Sequence, residues 1–171
     1  MKGYLHIYTG NGKGKTTAAF GIALRAVGAG KEVFIAQFVK GRPYSEIEAV
    51  RRHVSAITVK QYGLDCFIVN KPTTADTEAA QKGLKEVESI LDEGKHEMVI
   101  LDEATIALYY NLFTLEELKQ ALMKRKEHVE VIVTGRYAPQ ELIEMADLVT
   151  EMKEIKHYYN KGIEARQGIE Y

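Results

Sequence analysis

Thr9-Gly10-Asn11-Gly12-Lys13-Gly14-Lys15-Thr16-Thr17 is the stretch whose reading decides the fold. It follows the apolar run Tyr4 to Tyr8, which predicts a short strand, and it opens the run Lys15 to Ala29, which predicts a helix. Glycines let the backbone turn so that successive N–H groups face inward as an anion nest, and the helix start adds the positive end of its dipole. Lys15 is placed to reach terminal phosphates, and the Thr16 hydroxyl to ligate Mg²⁺. The general pattern of a phosphate loop is G-x-x-x-x-G-K-[ST], and Thr9 stands here at its first position. Gly10 and Gly12 are expected to supply the missing flexibility. The competing reading is a glycine-rich turn without a ligand. Lys13 and Lys15 lie so close that they repel unless an anion sits between them, and this favours the phosphate reading.

Working outward, strands and helices alternate. The helix Lys15 to Ala29 is almost wholly small or apolar, the composition of a helix packed on several sides, and Gly28 and Gly30 stop it. Val33 to Val39 reads as a buried parallel strand broken only by Gln37. A weaker strand is expected at Ile57 to Gln61, a helix at Thr77 to Asp92 ended by Gly94, and a strand at Met98 to Leu101. Thr114 and Glu117 form a capping box. Val129 to Val133 is a further strand, Pro139 suits a first helical turn, and Leu148 to Met152 suits a last strand. The expected architecture is α/β: a mostly parallel sheet flanked by helices, in one P-loop domain over residues 1–171.

Composition narrows the function. A net charge of −1 argues against nonspecific nucleic-acid binding, which relies on a basic surface. Paired tyrosines at 109–110 and 158–159 therefore read as core or interface rather than base-stacking platforms. One cysteine, Cys66, cannot form an internal disulfide and suits a reducing compartment. No apolar run reaches the roughly 18 residues that span a bilayer, and no signal pattern opens the chain, so a cytoplasmic location is expected.

Val99-Ile100-Leu101-Asp102-Glu103 places two carboxylates at the C-terminal end of an apolar strand, the edge where open α/β sheets bind ligands. Asp102 is the natural direct or outer partner of Mg²⁺. Glu103 is either a second metal contact or a general base. These elements imply ATP and Mg²⁺ but leave open whether water, a substrate hydroxyl or an alkyl acceptor attacks the nucleotide.

Five blocks carry a resemblance that reaches from the first strand to the last residue. They are Tyr8 to Ala19 with Arg25-Ala26, Gln37-Phe38-Val39-Lys40-Gly41, Leu101-Asp102-Glu103, Thr134-Gly135-Arg136, and the tail from Ala146-Asp147 through Lys156-His157 to Gly168-Ile169-Glu170-Tyr171. In these the chain resembles the corrinoid adenosyltransferases that act on cob(I)alamin or cob(I)yrinic acid a,c-diamide. That family also carries Thr-Gly at the start of its loop. The resemblance implies a fold like that of recombinase-type P-loop ATPases and transfer of the 5′-deoxyadenosyl group of ATP to cobalt(I), with release of triphosphate. The nucleotide would lie in the reverse sense, exposing the ribose C5′.

On that reading, Gly10, Asn11, Gly12, Lys13, Gly14, Lys15, Thr16 and Thr17 hold the triphosphate, and Lys13 and Lys15 offset the charge that grows on it. Thr16 with Asp102 or Glu103 matches the metal site. Arg25 and Arg136 are either triphosphate or substrate contacts, or structural arginines. In the region 63–73, family members close aromatic residues over the lower corrinoid face; Leu64 and Phe67 are the candidates here, with Cys66 packing beside them as a small apolar group. Lys156-His157 reads as a surface pair, and His6, His53, His96 and His128 show no ligand spacing. A homodimer and a reductase supplying cobalt(I) are implied as partners, with no nucleic acid and no membrane. The rivals are a P-loop ATPase or small-molecule kinase using Glu103 as base, and a corrinoid carrier, which would call for a D-x-H-x-x-G segment that is absent.

Overall fold

The computed structural model describes residues 1–41, 44–64 and 71–171. Six strands form one sheet: β1 (Leu5–Thr9), β2 (Val33–Phe38), β3 (Ile57–Tyr62), β4 (Met98–Asp102), β5 (Glu130–Thr134) and β6 (Leu148–Glu151). Their spatial order is β3-β2-β4-β5-β1-β6, and every pairing is parallel. Parallel neighbours need crossovers, and these supply α1 (Lys15–Gly28), α2 (Ser45–His53), α3 (Thr74–Glu93), α4 (Ala104–Tyr109), α5 (Leu115–Met123) and α6 (Gln140–Met145).

The period-2 alternation of the strands sorts the helices into two layers. Val33 and Ile35 of β2 face a cluster with Ala19, Phe20 and Ala23 of α1 and Ile47 and Val50 of α2. Phe34, Ala36 and Phe38 face the other side, where Leu84 and Val87 of α3 and Leu118 and Leu122 of α5 are buried. Each fully buried Val, Leu, Ile or Phe among them contributes about 1.5–3 kcal/mol.

Several local expectations shift. Helix α1 buries one stripe, at Ala19, Phe20, Ala23 and Ala26, while Leu24 remains 52% exposed. Its small residues therefore do not reflect packing on several sides. Helix α3 begins three residues earlier than its apolar spacing suggests, because Thr73 and Asp76 form a reciprocal capping box. The expected Thr114–Glu117 box caps α5. Pro139 precedes the first turn of α6 rather than occupying it.

The topology positions the site. Between β1 and β2 lie β5 and β4, so α1 must cross beneath both, and it contacts each. That crossing carries Thr16, at the start of α1, to the C-terminal end of β4.

Candidate active site

Gly10 and Gly14 take left-handed backbone, with φ of 96° and 116°, and Gly14 leads directly into α1. A side chain would be strained at either position. Gly12 serves differently: its amide donates to the Met152 carbonyl at 2.6 Å, and an added Cβ would sit 2.6 Å from that same oxygen. The loop therefore leans on the chain just past β6, and Gly12 permits close approach rather than flexibility. The Gly12 amide is consequently turned away from the nest, whose donors are the later amides leading into α1, which have no intrahelical carbonyl.

The two lysines diverge. Lys15 is buried, and its ammonium donates to the carbonyls of Gly10 and Gly12, both at 2.8 Å. Burial lowers its pKa, with the Glu103 charge opposing. It makes no ion pair among the described residues. Lys13 points the other way and donates to Tyr158 Oη at 3.0 Å, to the Ile169 carbonyl at 2.9 Å and to Glu170 Oε1 at 2.5 Å. Hydrogen bonds from Lys13 and Tyr158 hold the Glu170 carboxyl down to about 2. The expected repulsion between the lysines is thus relieved by the Glu170 carboxylate of the C-terminal tail. Lys13, expected beside the leaving group, is bound here by Glu170.

Asp102 is fully buried at the end of β4 and accepts four hydrogen bonds. Thr16 Oγ1 and Thr134 Oγ1 donate to its Oδ1 at 2.9 and 2.7 Å, and Gln37 Nε2 and Lys40 Nζ donate to its Oδ2, both at 3.0 Å. Burial would raise its pKa, but the Lys40 charge and these donors bring it below the usual carboxylate value. Glu103 follows in left-handed backbone, φ 59°, with its amide donating to Thr134 Oγ1 at 3.1 Å. Thr134 thus fixes both acids at once. Burial raises the Glu103 pKa against the opposing Lys40 charge. Lys40 also lies 3.7 Å from Glu103 Oε1 and donates to Thr16 Oγ1 at 3.1 Å. Its pKa is raised because the Asp102 and Glu103 charges outweigh the opposing effect of burial.

Of these groups Lys15, Thr16, Lys40 and Glu103 border a cavity of about 520 Å³ between the phosphate loop, the start of α2 and the C-terminal tail. That is an ordinary volume for a small-molecule site. Asn11 to Thr17, Glu103 and Arg136 line it. Arg25 does not: it is exposed in the last turn of α1, roughly 15 Å along the helix from the loop. Leu64 is 37% exposed and is not among the described residues that line this cavity. Cys66 and Phe67 lie outside the described residues.

The sequence reading assigned no role to Gln37, Lys40 or Thr134, which meet only through sheet pairing. It also gave none to Tyr44, Ser45 and the closing residues. Ser45 Oγ donates to the Tyr171 main-chain oxygen at 2.9 Å, and Gly168 to Tyr171 form one cavity wall. The family blocks containing Gln37, Lys40 and the tail were the available signal.

The oxygen donors suit a hard cation: one hydroxyl and two carboxylates, already gathered around an ammonium group. Among the described residues no three His, Cys, Asp or Glu side chains form a metal cluster. A Mg²⁺ held here would thus complete its shell with phosphate oxygens or water. No described helix is long and apolar enough to cross a membrane.

Comparison with solved structures gives a match to the crystal structure of the RadB recombinase, with a TM-score of 0.59 and 17% identity over 91% of this chain and 77% of that one. At that identity it shows the fold alone. A corrinoid adenosyltransferase of Escherichia coli K12 is 39% identical, covering 99% of this chain and 86% of the relative. The corrinoid adenosyltransferase CobA of Salmonella typhimurium LT2 matches to the same extent, 39% over 99% and 86%. One from Pseudomonas aeruginosa is 34% identical over 99% and 84%. A model of the family described as "ATP:corrinoid adenosyltransferase BtuR/CobO/CobP" matches residues 1–171, and the chain belongs to that family.

Proposed function

We propose that this protein transfers the 5′-deoxyadenosyl group of ATP to the cobalt of a reduced corrinoid and releases triphosphate. One observation carries the reading beyond family membership. Lys15 is a buried cation held, among the described residues, by loop carbonyls at the mouth of a helix, a charge poised for an anionic leaving group. An ATPase or small-molecule kinase is not favoured by a family match that spans the chain.

In the proposed reaction the cobalt(I) of the corrinoid substrate attacks C5′ of ATP. The Co–C bond forms, the C5′–O bond breaks, and its electron pair leaves on triphosphate. A nucleophile that strong needs no activating base, so the protein's tasks are alignment and charge stabilisation. Lys15 and the first amides of α1 face the growing charge. Arg136, on the cavity wall across from the loop, is a further triphosphate or corrinoid contact. Thr16, Asp102 and Glu103 would hold Mg²⁺, which would supply charge neutralisation to the phosphates. A cytoplasmic location, a homodimeric assembly and a reductase delivering cobalt(I) belong to the same proposal, and each follows from the family rather than from a contact in the structure.

The test is anaerobic, with purified protein, ATP, Mg²⁺ and chemically reduced cobalamin. The cobalt(I) absorption should give way to that of adenosylcobalamin, with one triphosphate released per corrinoid. Free phosphate or diphosphate beside an unchanged corrinoid would overturn the reading.

A further inference from the structure

The ammonium of Lys40 sits where the metal's ligands converge. It donates to Thr16 Oγ1 at 3.1 Å and to Asp102 Oδ2 at 3.0 Å, and lies 3.7 Å from Glu103 Oε1. These are the three oxygen-bearing side chains assigned to Mg²⁺. Its side chain is 13% exposed, so water does little of the work of solvating it.

The backbone is shaped to deliver it there. Val39, immediately before Lys40, takes φ 60°, a left-handed conformation that β-branched residues rarely adopt. β2 ends at Phe38, and the turn at Val39 sends the Lys40 side chain back across the end of β4. The Gln37 amide holds Asp102 from the same side.

A magnesium ion takes oxygen ligands at about 2.1 Å, in the region the ammonium now fills. Two cations sharing the same few oxygens in a poorly hydrated site repel strongly. Metal entry therefore requires the ammonium to move. Free Mg²⁺ offers it no new partner, whereas Mg²⁺ arriving on a triphosphate brings anionic oxygens to accept it. Tyr44, whose ring centre lies 5.3 Å from the ammonium, borders the cavity into which it would turn.

We propose that Lys40 is a resident cation that occupies the metal position in the nucleotide-free protein, so that divalent metal binds tightly only together with ATP. This rests on the reading of Thr16, Asp102 and Glu103 as the metal site. It adds that the site is held closed to free metal by a lysine of the chain itself.

The experiment measures Mn²⁺ binding by electron paramagnetic resonance, with and without ATP, in wild type, K40M and K40R. Wild type should bind Mn²⁺ weakly alone and tightly with ATP. K40M should bind Mn²⁺ alone at least about tenfold more tightly than wild type, and the tightening caused by ATP should shrink accordingly, a coupling within the ordinary range. K40R keeps the charge and should keep weak binding of the free ion. Equal affinity of wild type and K40M for Mn²⁺ without ATP would overturn the proposal. Should K40M unfold in chelator, Mn²⁺ must refold it, as followed by near-ultraviolet circular dichroism, and a variant that stays unfolded overturns the proposal too. Absence of Mn²⁺ binding to wild type even with ATP would instead remove the metal site, and Lys40's role with it, while leaving the adenosyl transfer to its own assay.

Discussion

The two walls of the cavity reach the same backbone region by opposite means. The loop after β1 enters left-handed conformation through Gly10 and Gly14, where glycine makes it nearly free of strain. The loops after β2, β4 and β5 enter it also through residues that carry side chains: Val39, Glu103 and, following Gly135 at 137°, Tyr137, at φ of 60°, 59° and 61°. Each of those carries a strain of about 1–3 kcal/mol. The difference follows from what each wall offers a ligand. The phosphate loop works largely through backbone amides, so at its turns no side chain is needed and glycine suffices. The facing wall works through side chains, and its turns aim Lys40, Glu103 and Arg136. Strain is accepted where a side chain has to be placed.

Three expected outcomes press on that comparison. The largest concerns the side-chain wall. D102A would leave Thr16, Thr134, Gln37 and Lys40 without their shared acceptor, and Lys40 buried without its nearest counter-charge. Removing one partner of such a pair costs about 3–5 kcal/mol. For a chain of this size that lowers the melting temperature by roughly 6–20 °C. Thermal unfolding of D102A in the absence of ligands checks this, and an unchanged melting point would reduce the wall to a surface feature.

Next, K15A removes the phosphate-loop cation on which the proposed mechanism depends. Losing a single donor to a developing anion costs about 100- to 1000-fold in kcat. Adenosyl transfer under saturating ATP and cobalt(I) should show that loss while the melting temperature stays near that of wild type. Equal losses of rate and stability would mean that Lys15 is chiefly structural.

The smallest effect sharpens the contrast in sign. G14A places a Cβ at φ 116°, in open space apart from Met152, so only conformational strain opposes it. A loss of about 1–2 kcal/mol is expected. Y137G relieves strain at φ 61° but forfeits a ring contact with Tyr109 at 4.6 Å between centres. These offset to within about 1 kcal/mol. Denaturant melts of the two variants measure the difference directly.

The walls also differed in how much of them the sequence disclosed. Gly10 to Thr17 is contiguous, and its chemistry belongs to the backbone, so the string itself carries the information. The acids of β4 were visible because an apolar strand ends in them. Lys40 was not, because its role depends on β2 lying next to β4, a pairing that no local pattern encodes. Helix α2 escaped notice since only Ile47 and Val50 of its nine residues are buried among charges at Glu46, Glu48, Arg51 and Arg52. Helix α4 follows β4 after a single residue and is too short to show a period. The pairing of Lys13 with Glu170 was hidden because the two lie at opposite ends of the chain. The apolar composition of α1 suggested deep burial, and its exposed Leu24 and Gly21 show that composition does not reveal how many sides are covered.

The position of β1 between β5 and β6 has a consequence for how the molecule comes into being. Leu5 pairs with Val131 and His6 with Leu148, so the first of these six strands to be synthesised waits for the last two of them. On a ribosome, the other half of the sheet, β3, β2 and β4, has every mutual neighbour available once residue 102 has emerged. The phosphate loop then still hangs from an unpaired ribbon. Such long-range closure is the slow kind. The nucleotide grip, which follows the earliest of these six strands, is therefore among the last parts of the sheet to become real.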